Sequence, residues 1–142
     1  MQVKDQQAAT EQVVRHAQTI MEATGMSAGR TPVLDAGPLP GGSDDDLEHL
    51  PDGAYNPYQI ALAGRLDDIP SDQLEPAVLR ARDDLGRSGW RIVGLVPAES
   101  GRDATELTGL TPGDEHTFRL EALHDLNRLV LSVTSPPYRH PV

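Results

Sequence analysis

Val3, Ala9, Val13, Ala17, Ile20 and Thr24 recur every three or four residues, with Gln, Glu, Arg and His between them. This is the spacing of a helix with one buried face. Gly25 and Gly29 offer the left-handed stop, and Met26 is placed to pack back over the last turn. After Asn56-Pro57 the period drops to two: Tyr58, Ile60, Leu62, Gly64 and Leu66 alternate with Gln59, Ala61, Ala63 and Arg65, which predicts a half-buried strand. Leu74, Val78, Ala81 and Leu85 return to helical spacing before Gly86 and Gly89. Pro76 lacks a backbone N–H, so the regular part of this second helix is expected to start near Glu75, with Ser71 to Leu74 as a lead-in.

Trp90 to Val96 is apolar on both faces, the pattern of a central strand. A weaker strand over Ala104 to Leu110 leads to Thr111-Pro112-Gly113-Asp114, which has Pro and Gly where a type II turn needs them. His116 to Ala122 and Leu129 to Val133 then alternate cleanly, and Pro136, Pro137 and Pro141 close the sheet. The tight turns demand antiparallel neighbours, while the segment through the second helix is long enough for a crossover between parallel strands. The pattern predicts an α+β fold, a two-layer sandwich whose four- to five-stranded, mostly antiparallel sheet carries both helices on one face.

Three stretches divide what is expected to be one domain. Residues 1–28 hold the N-terminal amphipathic helix, and residues 57–142 form the strand-helix-strands body. Between them, residues 29–56 form a Gly, Pro and Asp-rich strap in which Pro32, Pro38, Pro40 and Pro51 argue against regular structure. Val33, Leu34, Leu39, Leu47 and Leu50 suggest that the strap docks on the body.

Composition narrows the chemistry. The 142 residues contain no Cys, which excludes a disulfide, a thiolate metal site and a cysteine nucleophile. A formal charge of −10, with scattered arginines, argues against nucleic acid or anionic lipid as the main ligand. No apolar window is long enough for a membrane span, and residues 2–12 are too polar for a signal-peptide core.

The five histidines, His16, His49, His116, His124 and His140, include no HExxH and no pair four residues apart, so no metal site and no cofactor are expected. His116 alternates with core positions and reads as a partly buried strand-end histidine, whereas His124 and His140 read as solvent-exposed. Asp44, Asp45, Asp46 and Glu48 lack the ligand spacing of a calcium loop and read as a solvated charge run. The pairs Asp67-Asp68 and Asp83-Asp84 do not read as an acid/base dyad. A nucleophile elbow, a Walker A loop and GxGxxG are all missing from the chain.

Arg65-Leu66, the helix Leu79 to Leu85, Gly89-Trp90-Arg91-Ile92 and the final Leu129 to Pro136 together resemble small exported proteins and lipoproteins of unassigned function in actinobacteria, over roughly residues 57–137. Many of those proteins carry Cys after the Ser-Pro, disulfide-linked to the segment before the first strand; this chain has Pro137 there. The resemblance implies an envelope or extracellular location, a leader or lipid anchor before Met1, and no catalytic residue.

The expectation is therefore a non-enzymatic domain that binds a protein partner, a basic one being compatible with its charge, with Asp44, Asp45, Asp46 and Glu48 as contact residues. The alternative from another class is a small-ligand-binding or catalytic domain, with a pocket between sheet and strap lined by Tyr55, Tyr58, Trp90 and His116. A structural subunit of an assembly is the third reading.

Overall fold

The computed structural model describes residues 1–41, 48–49, 55–99 and 104–141. Along the chain these form β1 (Gln2–Val3), α1 (Gln6–Ala23), β2 (Val33–Pro40), β3 (Glu48–His49), β4 (Tyr55–Asn56), β5 (Tyr58–Leu66), α2 (Ser71–Arg87), β6 (Arg91–Val96), β7 (Ala104–Leu110), β8 (Thr117–Leu123), β9 (Arg128–Thr134) and β10 (Tyr138–Arg139). The fold is α+β, but the sheet is larger than the alternating stretches alone predict: eight strands form one mixed sheet, and β3 and β4 form a separate pair.

Asp5 fixes the start of α1 by accepting a hydrogen bond from Ala8 N at 3.2 Å. Val3, expected within that helix, consequently lies before the cap in extended backbone, where β1 runs parallel to β10. Ala9, Val13, Ala17 and Ile20 are fully buried, as their spacing requires. The other helix begins at Ser71, a turn earlier than expected. Its first turn closes through Gln73 N on Pro70 O at 2.9 Å, and Pro76 lies on an exposed face where water can take the carbonyl its missing N–H leaves free.

Strand β5 organises the sheet. On one side it pairs with β2 over eight registered positions, from Val33 with Arg65 to Pro40 with Tyr58. On the other it pairs with β9 and then, at Tyr58 with Tyr138, with β10. Because β2 occupies the first side throughout, β9 and β10 are two parts of one long strand interrupted at Ser135-Pro136-Pro137. Ser135 repairs the interruption: its Oγ accepts from Ile60 N at 2.9 Å while its own N donates to Ile60 O at 2.9 Å. The sheet thus has six positions across, β2, β5, β9 with β10, β8 with β1, β7 and β6. The chain of antiparallel pairings leaves β5 and β6, which flank α2, parallel to one another.

Two expectations are corrected here. The strap is not irregular throughout, since Val33–Pro40 is a regular strand; Pro38 and Pro40 are tolerated because β2 is an edge. The strand after Trp90 is the opposite edge, not a central strand. Its second apolar face comes from a bulge between Ile92 and Gly94 that turns Val93 outward, where it is 63% exposed, while Trp90 itself is buried just ahead of the strand.

Helix α1 packs on β2, β5 and β9, α2 packs on β6, β7 and β8, and the helices touch each other, so both lie on one face. Arg80 Nη1 donates to Thr24 O at 2.7 Å and joins α2 to the end of α1. The core between the layers contains Leu62, Leu74, Val78, Leu85, Leu107, Leu120, Leu129 and Leu131. Gly109 is required there: a Cβ would stand 2.5 Å from Arg91 O and 2.8 Å from the ring of Phe118, which packs across it.

Leu131→Ala is expected to lower unfolding stability by about 2–5 kcal/mol, because it empties a buried site beneath α1. The outward Val93→Ala is expected to cost less than about 1 kcal/mol. Urea midpoints of the two variants at constant slope check the assignment of faces.

Candidate functional site

A cluster of hydrogen-bonded polar side chains lies beneath the middle of α1, at the turn between β7 and β8. His16 and Gln12 come from one face of α1; Thr111, Asp114 and His116 come from the turn. Gly113 adopts φ +81°, as position three of a type II turn requires, and this brings Asp114 up under the helix. The Asp114 carboxylate then accepts from four side chains. Gln12 Nε2 lies 2.6 Å and His16 Nε2 2.8 Å from Oδ2, while His116 Nδ1 lies 3.0 Å from Oδ1, which also accepts from the Thr111 hydroxyl. Thr111 Oγ1 in turn accepts from His116 N at 3.0 Å.

The rings stack into the core beside this carboxylate. His16 meets His116 edge-on with centroids 4.6 Å apart and meets Trp90 at 5.6 Å, and Trp90 meets Phe118 at 5.6 Å. Burial pushes the Asp114 carboxyl upward, but the Thr111 and His16 hydrogen bonds and the neighbouring imidazoles outweigh it and hold it well below the usual carboxylate range. Burial holds the His116 imidazole below its ordinary value, against the opposing pull of Asp114. His116 is fully buried, and its Nε2 is without a hydrogen-bond partner.

His16, Asp114 and His116 each place one donor atom within 4.8 Å of the others, and they are the described residues placed to surround a divalent cation. In the present arrangement the Asp114 oxygens are already occupied by the four donors, and an ion would have to displace the imidazole N–H groups. His116, with Nδ1–H on a carboxylate and a lone pair at Nε2, has the protonation pattern of a general base. That nitrogen faces the core instead of a cleft. What the cluster does in this geometry is fasten α1 to the β7–β8 turn across 98 residues of sequence.

The second feature is the sheet face that the helices leave bare. The registers align its outward side chains in three rows across six strands. One row reads Val33, Arg65, Val130, Glu121, Glu106, Val96; the next reads Asp35, Ala63, Ser132, Arg119, Thr108, Gly94; the last reads Gly37, Ala61, Thr134, Thr117, Leu110, Arg91. Small side chains stand between the charged ones, Gly37 and Gly94 on the edge strands and Ala61, Ala63, Ser132 and Thr108 inside them. They leave open troughs of about 330 Å³ beside Val93, Thr108, Leu110 and Arg119 and about 400 Å³ beside Val33, Ala63, Arg65 and Val130. Glu121 and Glu106 stand directly opposite one another, a repulsive pairing that Arg119 offsets at 3.4 Å from Glu106 and 3.7 Å from Glu121.

The residues singled out from the sequence distribute unevenly. Asp44, Asp45 and Asp46 lie outside the described residues, and of Glu48 only the backbone is described. The proposed pocket lining separates into two groups. Tyr58 stacks on His140 at 4.3 Å, and His140 Nε2 lies 2.7 Å from Tyr55 O, whereas Trp90 and His116 gather around His16. Tyr58, Trp90 and His116 are core side chains, and the long described stretch of the strap, β2, is an edge strand in the plane of the sheet, so among the described residues these four are not brought together around one pocket. Burial first, then the charge of Asp5 and neighbouring Tyr138, pushes the Tyr58 hydroxyl up to about 12, and it donates to Lys4 O. His116 is wholly rather than partly buried, and His140 and His124 are half-buried rather than exposed. Asp67 is no dyad member: it pairs with Arg65 at 3.0 Å and Arg128 at 2.6 Å.

His16 and Asp114 were not among the residues picked from the sequence. Position 16 follows Val13 by three residues and precedes Ile20 by four, so it borders the buried stripe, and Asp114 stands two residues before His116. No protein-family model matches the chain, and no curated protein matches it. Among the described residues, no helix is long and apolar enough to cross a membrane.

The depressed His116 value fixes the sign of one pH effect. The unfolded chain takes up the imidazole proton first, so stability is full above about pH 6.5 and is lost as pH falls through the lower folded value. Asp114 adds a further loss below the ordinary carboxylate range. Thermal unfolding of wild type between pH 7 and pH 5 is expected to show a falling midpoint, and His116→Asn is expected to flatten that slope. An equal slope in both proteins would remove His116 from the account.

Proposed function

We propose that this chain is a non-enzymatic interaction domain, exported or held at the cell envelope, that binds a protein partner through the bare face of its sheet. The observation that carries this reading is the composition of that face. Exposed antiparallel strands ordinarily point long polar side chains at water. Here Ala61, Ala63, Ser132 and Thr108 stand on inner strands and Gly37 and Gly94 on the two edge strands, while Val33 at 47% exposure, Leu39 at 46% and Val93 at 63% place exposed apolar side chains along those edges. Exposed apolar edges beside short outward side chains suit a surface that another protein covers.

Two further observations support a binding role over catalysis. The Asp114 cluster spends its carboxylate's hydrogen-bonding capacity on holding α1, and the unpartnered Nε2 of His116 is buried. The three rows carry Arg65, Arg91 and Arg119 against Asp35, Glu106 and Glu121, so the bare face is neutral in a chain of charge −10. A basic partner would accordingly be drawn to other surfaces, and the occupant of this face is selected by shape and by paired charges. The envelope location rests on the resemblance carried by residues 57–137.

Photo-crosslinking tests the reading. A photoreactive residue at Thr108, on the bare face, is expected to give discrete protein adducts in cells producing the chain, whereas one at exposed Gln73 of α2 is expected to give none. Adducts from Gln73 alone, or from neither, would refute it.

A further inference from the structure

We infer that the protein covering the bare face is a second copy of this chain, packed sheet to sheet about a two-fold axis parallel to the strands. This rests on the reading of that face as an interaction surface. The inference follows from the registers. A two-fold axis running between β9 and β8 places each strand opposite its mirror position: β2 opposite β6, β5 opposite β7, and β9 opposite β8. Each row then meets itself in reverse.

In the first row Arg65 faces Glu106 of the other copy, Val33 faces Val96, and Val130 faces Glu121, whose carboxylate stays beside Arg119 of its own chain. In the second, Arg119 faces Ser132, Ala63 faces Thr108, and Asp35 faces Gly94. In the third, Leu110 faces Ala61, Thr134 faces Thr117, and Arg91 faces Gly37. Gly37 lies two residues beyond Asp35 on the same strand, so Arg91 falls diagonally beside that carboxylate. The large side chains Arg119, Leu110 and Arg91 thus each meet a small one, and Arg65 meets an opposite charge. Each such pairing occurs twice in the dimer.

Charge argues for the same occupant. Two chains of −10 repel through most of their surfaces, and the bare face, with three Arg against three acids in its rows, is where they approach without net repulsion. The area is adequate. Six strands at about 4.8 Å spacing and roughly seven residues long at about 3.3 Å per residue present roughly 600–700 Å², against about 800 Å² per partner in a standard stable interface. Packed sheets lie within about 30° of alignment, which keeps the central pairings in reach of one another.

Sedimentation equilibrium of the purified chain measures the association directly. Wild type is expected to be a concentration-dependent dimer. Arg65→Glu and Glu106→Arg, each of which sets like charges opposite one another, are expected to weaken dimerisation about tenfold or more, and the double swap is expected to restore it. Ala63→Arg is expected to abolish it, and circular dichroism and thermal midpoints verify that each variant folds. A wild type that stays monomeric into the millimolar range, or a dimer untouched by Ala63→Arg, would overturn the inference. The two readings fail separately: a monomer whose Thr108 photoadducts contain another protein removes the second copy and keeps the bare face as a binding surface, whereas missing Thr108 adducts remove both.

Discussion

The constraint on which the molecule depends is that a single sheet has two faces and the described helices cover only one. Strand β5 makes the sheet wide by being paired along both sides, to β2 on its left flank of the ladder and to β9 and β10 on the other. Its alternation sends Tyr58, Ile60, Leu62 and Leu66 toward the helices and Gln59, Ala61, Ala63 and Arg65 away. Every added strand extends the helix-covered core and the bare face by the same amount. Two helices of 18 and 17 residues suffice to cover the core side of six positions, and nothing in the described chain crosses to the other side.

A second constraint is electrostatic. Helix α1 is joined to the rest of the chain through β1 at one end and through the segment leading to β2 at the other, and its middle lies over a carboxylate. A carboxylate left unpaired in that half-buried position would be destabilising. Gln12, His16, Thr111 and His116 remove that cost by supplying donors to each oxygen of Asp114. The arrangement leaves its residual cost at His116 Nε2, buried and unpartnered, and that is why the tether depends on pH. Polar contacts of this kind fix one seating of a helix, which apolar stripes alone leave free to slide.

How much of this was legible in the sequence depended on whether the determining residues were neighbours in the chain. Period-two alternation in β5, β8 and β9 and helical spacing in α1 and α2 are local, and they carried the α+β class and the shared face of the helices. Strand β2 was hidden because Pro32, Pro38 and Pro40 signal a loop, and only its position at a sheet edge, a tertiary fact, makes them compatible with a ladder. Val93 misled in the other direction: β6 is an edge strand, and its run of apolar residues reflects a bulge that turns Val93 outward, not burial of both faces. The Asp114 cluster joins residues 98 and 102 positions apart, and no motif spacing announces such a pairing. His116 alone was legible, by its place in the alternation of β8.

The bare face is the point at which local and global requirements part. Strand propensity favours β-branched and aromatic residues at exposed positions, yet Ala61, Ala63, Gly37 and Gly94 stand there, each weakening its strand relative to Val or Thr by a few tenths of a kcal/mol or more. Stability does not account for that choice, because the helix-side core is complete without it. Long-range charge supplies the remaining selection. In the proposed dimer, with −10 on the chain and a neutral bare face, the acidic surfaces would orient an approaching copy so that the neutral faces meet, and the small side chains would admit Arg91, Leu110 and Arg119. Net acidity and small outward residues, unrelated when read along the sequence, become parts of one device once the registers align them.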